Sequence, residues 1–131
     1  MTVQLNHTIL WVRNKEVSAK FLTDILGLPE ATRFGPFRVV AMDNGVSLDF
    51  GDTANEKIAS QHYAFLISET EFDEIFARIR EQNLEYWADP ARTQAGEINR
   101  HYGGRGLYFS DPNGHLLEII TRPYGSTLPP S

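Results

Sequence analysis

Cysteine is absent from this sequence. A chain without cysteine has no disulfide framework, no thiolate metal site and no cysteine nucleophile. The sequence also lacks an apolar run of the roughly 18 residues that a membrane span needs. Its start, Met1-Thr2-Val3-Gln4, has no basic segment of the kind that opens a signal peptide. We therefore expect a cytoplasmic protein with no membrane partner.

Positive charge is scarce as well. The 131 residues include 12 Lys and Arg against 17 Asp and Glu, which gives a formal net charge of -5. The two signs are interspersed, whereas a nucleic-acid surface needs a clustered basic face, so we expect no nucleic-acid partner. With 41% hydrophobic and 22% charged residues, the chain has the composition and length of one globular domain.

Two predicted strands carry a histidine near their start. Residues 5–12 and 61–67 are rich in β-branched and aromatic side chains, which is typical of strands. Alternation along the first strand places His7 on a face that it shares with Trp11 and that is otherwise apolar. His62 opens the second strand. A lone histidine on an apolar face is more often a hydrogen-bonded core residue than a metal ligand.

Two amphipathic helices are predicted after these strands. Asn14 is a suitable N-cap and Gly27 a suitable stop for a helix over residues 15–26. The Ser68–Glu71 spacing is that of a capping box, and the second helix should end near Gln82-Asn83. The apolar stripes are Val17, Phe21, Leu22, Ile25 and Leu26 in the first helix and Phe72, Ile75, Phe76 and Ile79 in the second.

Each half of the chain then predicts a β-hairpin whose last strand contains an acid. Asn44-Gly45 is a strong turn signal and would place Val40 opposite Asp49. Asp111-Pro112-Asn113-Gly114 supplies similar turn chemistry before a strand that contains Glu118. The predicted hairpin strands are residues 37–42 with 46–50 and residues 107–110 with 116–121.

These landmarks recur, which indicates an internal repeat. The order of strand, helix and hairpin occurs twice, and the change in spacing between copies corresponds to a long glycine-containing loop in the second copy. The first module is expected over about residues 4–52, the second over about 60–122, and a proline-rich tail over 123–131. The paired landmarks are His7 with His62 and Phe21 with Phe76, each 55 residues apart, and Asn44-Gly45 with Asn113-Gly114 and Asp49 with Glu118, each 69 apart.

The repeat favours a metal site. Two related half-sheets that face each other would bring His7, His62, Asp49 and Glu118 towards one axis. Two imidazoles and one carboxylate with open positions suit non-haem Fe(II) and oxygen chemistry, and a second carboxylate suits Zn(II), Ni(II) or Mn(II) lyases. The alternative of two core histidines and an exposed Glu explains each residue but not their equivalence.

In these motifs the chain resembles the vicinal oxygen chelate superfamily, which includes glyoxalase I, extradiol dioxygenases and bleomycin-binding proteins. The resemblance implies one α+β domain over residues 1–131, in which two tandem βαβββ modules form a cupped mixed sheet with helices outside. It also implies His7, His62 and Glu118 as metal ligands. The matching segments are Leu5-Asn6-His7, Ile25-Leu26-Gly27, Gln61-His62-Tyr63-Ala64-Phe65 and Phe109-x-Asp111-Pro112-x-Gly114-His115-x-Leu117-Glu118.

Asp49 separates the branches of this superfamily. Glyoxalase-I-like members have a Glu ligand at this strand, and Asp is one methylene shorter. Asp49 would therefore be a fourth ligand, a residue behind the ligands, or a general base towards a substrate hydroxyl. Dioxygenase-like members use three protein ligands and leave positions for substrate and O₂.

The aromatic residues and the long polar loop, residues 89–104, suggest a substrate pocket. His101 could act as an acid or base near neutral pH. The predicted turn places Leu107 and Phe109 on the face of Glu118 and points Tyr108 away from it. Core packing and solvated loop side chains are the alternative explanations. The candidate substrate-binding residues are Trp11, Trp87, Arg100, Tyr102 and Phe109.

The chain is also similar to the small stand-alone dioxygenases that tailor aromatic polyketides, such as the ring-opening enzyme of chartreusin assembly. We therefore expect a homodimeric Fe(II) dioxygenase of antibiotic biosynthesis that cleaves or oxidises a hydroxylated aromatic substrate with O₂ as co-substrate. One alternative is a non-redox lyase or isomerase that uses Zn, Ni or Mn. The other is a metal-free resistance protein that binds an aromatic drug.

Overall fold

The computed structural model describes residues 2–126, which divide into two compact units. The first unit contains residues 2–59 together with Asp111–Asn113, and the second contains Ser60–Ser110 together with residues 114–126. Each unit is a βαβββ module with one four-stranded mixed sheet. The predicted α+β fold of tandem βαβββ modules is therefore confirmed. Within the described residues, no helix is long and apolar enough to cross a membrane.

The first unit has the strand order β1-β4-β3-β2. Strand β1 runs parallel to β4, and the other neighbours are antiparallel. Strand β2 was not predicted, because its three residues are all exposed and have no apolar alternation. The elements are β1 (His7–Val12), α1 (Lys15–Leu26), β2 (Thr32–Phe34), β3 (Phe37–Ala41) and β4 (Ser47–Asp52).

Helix α1 begins and ends where the sequence predicts. The Asn14 side chain accepts hydrogen bonds from two backbone N–H groups of the first turn, and Gly27 ends the helix with a φ of 70°. The predicted apolar stripe is wrong at Val17, which is 55% exposed. Val17 lies about 140° around the helix from the buried Leu22, at 3.6 residues per turn. The side chains that face the sheet are Ser18, Ala19, Leu22, Thr23 and Ile25.

The second unit repeats this architecture in the order β5-β8-β7-β6. The predicted capping box at Ser68 and Glu71 is present. Helix α2 lies on one face of the sheet, because Phe76 packs edge-on against Tyr86 at a ring distance of 5.0 Å. The elements are β5 (His62–Leu66), α2 (Glu69–Glu81), β6 (Tyr86–Trp87), a short 3-10 helix (His101–Gly103), β7 (Gly106–Ser110) and β8 (Leu116–Ile120).

The strand registers confirm the internal repeat. In each unit, the histidine that opens the first strand pairs with a residue of the last strand, and an acid lies two positions further along that last strand. Asp49 on β4 and Glu118 on β8 therefore occupy equivalent places. The matching pairs are His7 with Ser47 and Ile9 with Asp49 in the first unit, and His62 with Leu116 and Ala64 with Glu118 in the second.

Both hairpin connections contain five residues, not the two or four expected from the sequence. An odd number reverses the face that the preceding strand presents, because side chains alternate along a strand. Val39, not Val40, therefore lies opposite Asp49. By the same reversal Tyr108 lies opposite Glu118, so the prediction that Tyr108 points away is wrong.

Two side chains hold the second connection in this five-residue form. The carboxylate of Asp111 accepts the backbone N–H of Asn113 at 2.9 Å, which forms a turn within the connection. His115 is fully buried, and its Nδ1 accepts the N–H of Gln61 at 2.9 Å. This bond holds His115 against Gln61, the residue before β5. Ser110 and Leu116 are therefore the first residue pair of the hairpin.

Candidate metal centre

Glu118 lies at the centre of a row of side chains across the second sheet. The row runs from Trp87 on β6 through Tyr108 on β7 and Glu118 on β8 to Ala64 on β5. Glu118 is only 1% exposed. Burial of a carboxylate is costly unless it is paired or hydrogen-bonded, so the contacts of Glu118 decide what this face of the sheet can do.

His62 contacts this carboxylate through one ring nitrogen and is oriented through the other. Its Nδ1 lies 3.1 Å from the carbonyl oxygen of Leu116, and its Nε2 lies 3.1 Å from Oε1 of Glu118. A carbonyl only accepts hydrogen bonds, so Nδ1 must bear a proton. In neutral His62 the lone pair of Nε2 therefore points towards a carboxylate oxygen.

Two phenols complete the group around Glu118. Tyr124 donates to the carboxylate, with its hydroxyl 2.9 Å from Oε1 and 2.7 Å from Oε2. The Tyr108 hydroxyl lies 3.1 Å from that of Tyr124, and the Tyr108 ring stacks beside His62 at 6.0 Å. Burial is the main cause that raises the pKa of Tyr108, and its hydrogen bond to Tyr124 adds to the effect. Burial likewise raises the pKa of Tyr124, so both phenols are neutral donors at neutral pH.

The equivalent positions of the first unit are arranged differently. His7 is exposed, and its Nδ1 lies 2.7 Å from Oδ1 of Asn6. Asp49 is 8% exposed and accepts a hydrogen bond from the hydroxyl of Ser47 at 2.9 Å. Ser47 stands where the second unit has Leu116. The shorter Asp49 side chain is thus held by its own strand.

The predicted ligand set is only partly assembled within one unit. His62 and Glu118 form a pair in the second unit, whereas His7 belongs to the first unit. Among residues 2–126, no group of three or more histidine and acidic side chains is close enough to hold one ion. The His62–Glu118 pair nevertheless fits a divalent cation: neighbouring ligands about 2.1 Å from one ion lie about 3 Å apart. A cation bound to both atoms would also remove the electrostatic repulsion between the Nε2 lone pair and Oε1.

Part of the predicted substrate-binding group lies on the Glu118 side of the second unit. Trp87 belongs to the row that includes Glu118, and the Arg92 guanidinium lies over its ring at 5.5 Å. Tyr102 has a positive φ of 57° within the 3-10 helix, and its ring lies 6.1 Å from that of Tyr124. His101 and Arg100 are exposed in the same loop, and Trp11 is 46% exposed on the first sheet.

The placement of Phe109 corrects the prediction. It pairs with Tyr86 and Leu117, so it lies on the face opposite Glu118, and it is fully buried. Leu107 is buried on the same side. An even-numbered turn would have placed Phe109 on the face of Glu118, and the five-residue connection places it on the other face.

The sequence did not reveal two of the three side chains grouped around Glu118, those of Tyr108 and Tyr124. Tyr108 could have been found by treating Asp111 as a capping side chain, which lengthens the turn by one residue. Tyr124 lies in a segment expected only to leave the sheet. The Tyr124-Gly125 pair after Pro123 is a turn signal, but it does not indicate that the ring reaches Glu118.

The chain belongs to the Glyoxalase/Bleomycin resistance protein/Dioxygenase superfamily, which matches residues 4–119. Two solved structures are very similar to it. Oxidase ChaP-H2 is 61% identical with a TM-score of 0.93, over 96% of this chain and 98% of that one. Oxidase ChaP-H1 is 57% identical with a TM-score of 0.93, over 95% of this chain and 100% of that one.

A more distant relative is named for a different reaction. Glutathione transferase FosA of Serratia marcescens is 29% identical over 125 residues, which is 91% of this chain and 81% of that protein. The superfamily and the oxidase relatives support an enzymatic, metal-dependent function of the oxidoreductase type.

Proposed function

We propose that this protein is a non-haem Fe(II) dioxygenase that cleaves or oxidises a hydroxylated aromatic, polyketide-like substrate. His62 and Glu118 are two of its metal ligands, and His7, from the same chain or from a second copy in a homodimer, is the third. The observation behind the proposal is the contact between Nε2 of His62 and Oε1 of Glu118 at 3.1 Å. The two relatives named as oxidases, at 57% and 61% identity, favour oxygen chemistry over other uses of this fold.

The donor types support iron. Two imidazoles and one carboxylate form the facial set typical of non-haem Fe(II) enzymes that use O₂. The Leu116 carbonyl fixes the tautomer and the ring orientation of His62, as such partners do in metal sites. An Fe(II) ion bound there would supply O₂ activation and a chelation point for adjacent substrate oxygens.

The surrounding residues would bind the substrate and move its protons. Tyr108 stands opposite Glu118 as a neutral phenol, and once a substrate binds it would turn its proton from the Tyr124 oxygen to a substrate oxygen. Asp49, held by Ser47, would accept a substrate proton as general base. His101 would exchange protons with solvent from its exposed loop.

Aromatic and cationic side chains would surround the ring of the substrate. Trp87 lies in the row of Glu118, and Tyr102 lies beside Tyr124. Arg100 and Trp11 would add a charged and an apolar contact. Such a pocket, apolar with a few convergent polar groups, suits a flat hydroxylated substrate.

The test is oxygen consumption by protein loaded anaerobically with Fe(II), measured with a panel of hydroxylated aromatics that bear adjacent oxygens. We expect uptake of O₂ with at least one substrate, entry of labelled oxygen into the product, and no turnover under argon. The Glu118→Gln variant should be inactive and Tyr63→Phe active. Equal substrate loss under argon and under air would contradict the proposal.

A second candidate is a non-redox lyase, isomerase or thiol transferase that uses Zn, Ni or Mn as a Lewis acid. The similarity to the relative named as a glutathione transferase favours it. In this case Asp49 would be a fourth ligand and activity would not depend on O₂. The same experiment in the absence of oxygen, with each metal in turn, separates the two candidates.

A further inference from the structure

The carboxylate of Glu118 is held by a residue from the chain segment that follows β8. The Tyr124 hydroxyl lies 2.7 Å from Oε2 and 2.9 Å from Oε1. It therefore contacts both oxygens of a side chain that is 1% exposed, although Tyr124 itself is 58% exposed. Such a contact between an exposed residue and a buried carboxylate is a feature that neither the fold nor the proposed reaction requires.

Local structure places Tyr124 there. The N–H of Ser126 donates to the carbonyl of Pro123 at 3.1 Å, and Gly125 has a φ of 72°. This is the turn in which glycine is favoured at the third position, so the backbone itself turns Tyr124 back towards the sheet. The Tyr102 ring, 6.1 Å away, packs beside it.

The neighbouring loop approaches this segment closely because it has a glycine. A Cβ at Gly104 would lie 2.5 Å from Cγ of Arg122 and 2.5 Å from Oγ1 of Thr121. Oγ1 of Thr121 is fixed, since it accepts the N–H of Arg105 at 2.7 Å. The loop with the 3-10 helix and the segment after β8 thus pack directly on each other next to Tyr124.

The direction of the hydrogen bonds follows from the number of protons. Tyr124 has one hydroxyl proton, and a carboxylate can only accept, so that proton is directed at Glu118. In the contact between the two hydroxyls, which are 3.1 Å apart, Tyr108 is then the donor and the Tyr124 oxygen the acceptor. The shorter distance to Oε2 means that Tyr124 restrains mainly this oxygen and leaves Oε1 directed at Nε2 of His62.

We propose that Tyr124 is a positioning residue for the metal ligand Glu118. Its hydroxyl holds Oε2 so that Oε1 and Nε2 of His62 are oriented together before an ion arrives. The inference rests on the proposed metal site but not on the proposed oxygen chemistry. Removal of a residue that hydrogen-bonds to a metal ligand typically lowers metal affinity by about 10-fold to 100-fold.

The test compares Co(II) binding by the full chain and its Tyr124→Phe variant, by competition with a coloured chelator. Phenylalanine keeps the ring beside Tyr102 and removes only the hydroxyl. We expect a Kd for Co(II) that is about 10-fold to 100-fold higher, together with a changed Co(II) absorption spectrum, because the carboxylate orientation changes. Circular dichroism of the metal-free variant should match that of the wild type.

Two control variants make the result specific. Tyr63→Phe removes a phenol that accepts from Nε2 of Gln61 at 3.0 Å. Tyr63 pairs with Leu117 and so lies on the sheet face opposite Glu118, and the Kd and spectrum of this variant should equal those of the wild type. Tyr108→Phe removes the donor to Tyr124 but keeps the bond from Tyr124 to Glu118, so its Kd should rise less than that of Tyr124→Phe.

The outcomes separate this inference from the proposed function. A Tyr124→Phe variant that binds Co(II) as tightly as the wild type, or more tightly, overturns the inference and leaves the metal site intact. Loss of affinity in Tyr63→Phe by the same factor overturns it too, because the effect would then be a general structural one. A wild type that binds no Co(II) overturns both this inference and the proposed function.

Discussion

Tyr108 lies directly opposite Glu118 in the antiparallel pair of β7 and β8, and the two residues are joined through the hydroxyl of Tyr124. This relationship places a neutral phenol beside a buried carboxylate on the face that also presents His62. A hydrogen-bond donor and two potential metal ligands therefore lie on one sheet face of the second unit.

The Tyr108→Phe substitution should lower kcat by about 100-fold, a typical loss when one hydrogen-bond donor to the reacting group is removed. KM should change little, because phenylalanine preserves the ring beside His62. Steady-state kinetics under air would measure both values. The Tyr63→Phe variant is the matched control, and an equal kcat in Tyr108→Phe and wild type would contradict a catalytic role for this phenol.

The Glu118→Gln substitution should affect metal binding and stability in opposite directions. Without the carboxylate, affinity for Fe(II) or Co(II) should fall by about 100-fold or more. This loss exceeds the usual effect of removing a residue that only hydrogen-bonds to a metal ligand. The metal-free variant should melt at or above the wild-type Tm, because removal of a charge that is 1% exposed relieves a desolvation cost. Calorimetry with and without Co(II) measures both effects. A lower Tm without metal would contradict this account of Glu118.

The Gly51→Ala substitution should destabilise the first unit. A Cβ at this position would lie 2.7 Å from Cζ3 of Trp11 and 2.9 Å from Cε1 of Phe37, whose rings approach over the glycine. Overpacking of this kind costs about 1–3 kcal/mol of unfolding free energy. Urea denaturation measures the loss, and it should be smaller in a Trp11→Leu background, which gives the new methyl group room. The same loss in both backgrounds would show that the Trp11 ring is not the obstacle.

The capping box of α2 predicts a pH dependence. The backbone N–H of Ser68 donates to Glu71, and this bond lowers the pKa of the Glu71 carboxyl. A lowered pKa stabilises the fold above the ordinary pKa of glutamate, and that stability is lost as pH falls. Glu71→Gln should therefore reduce the free energy of unfolding at pH 7 by no more than about 1 kcal/mol, since the group is exposed. The difference should vanish near pH 3, and a difference that stays constant with pH would contradict the assignment.

Much of the fold could be predicted from local sequence because local chemistry determines it. Asn14 and Gly27 bound α1, and Ser68 with Glu71 begins α2, as their side chains and conformations require. The repeat was detectable because both copies keep a histidine at the start of the first strand and an acid in the last.

The parts that sequence could not give depend on single residues in turns. One additional residue in the connection Asp111–His115 reverses every side chain of β7 relative to β8, which moved Tyr108 to the Glu118 face and Phe109 to the core. Tyr124 was missed because its contact with Glu118 joins a turn to a strand through tertiary structure. No periodicity marks such a contact.

The proposed iron site is tested most directly by the iron content of protein titrated anaerobically with Fe(II), for the wild type and the His62→Ala variant. We expect near-stoichiometric iron in the wild type, its loss in His62→Ala, and O₂ consumption only by the iron-loaded wild type with a hydroxylated aromatic. Iron bound equally by both proteins, or a wild type that takes up none, would contradict the account.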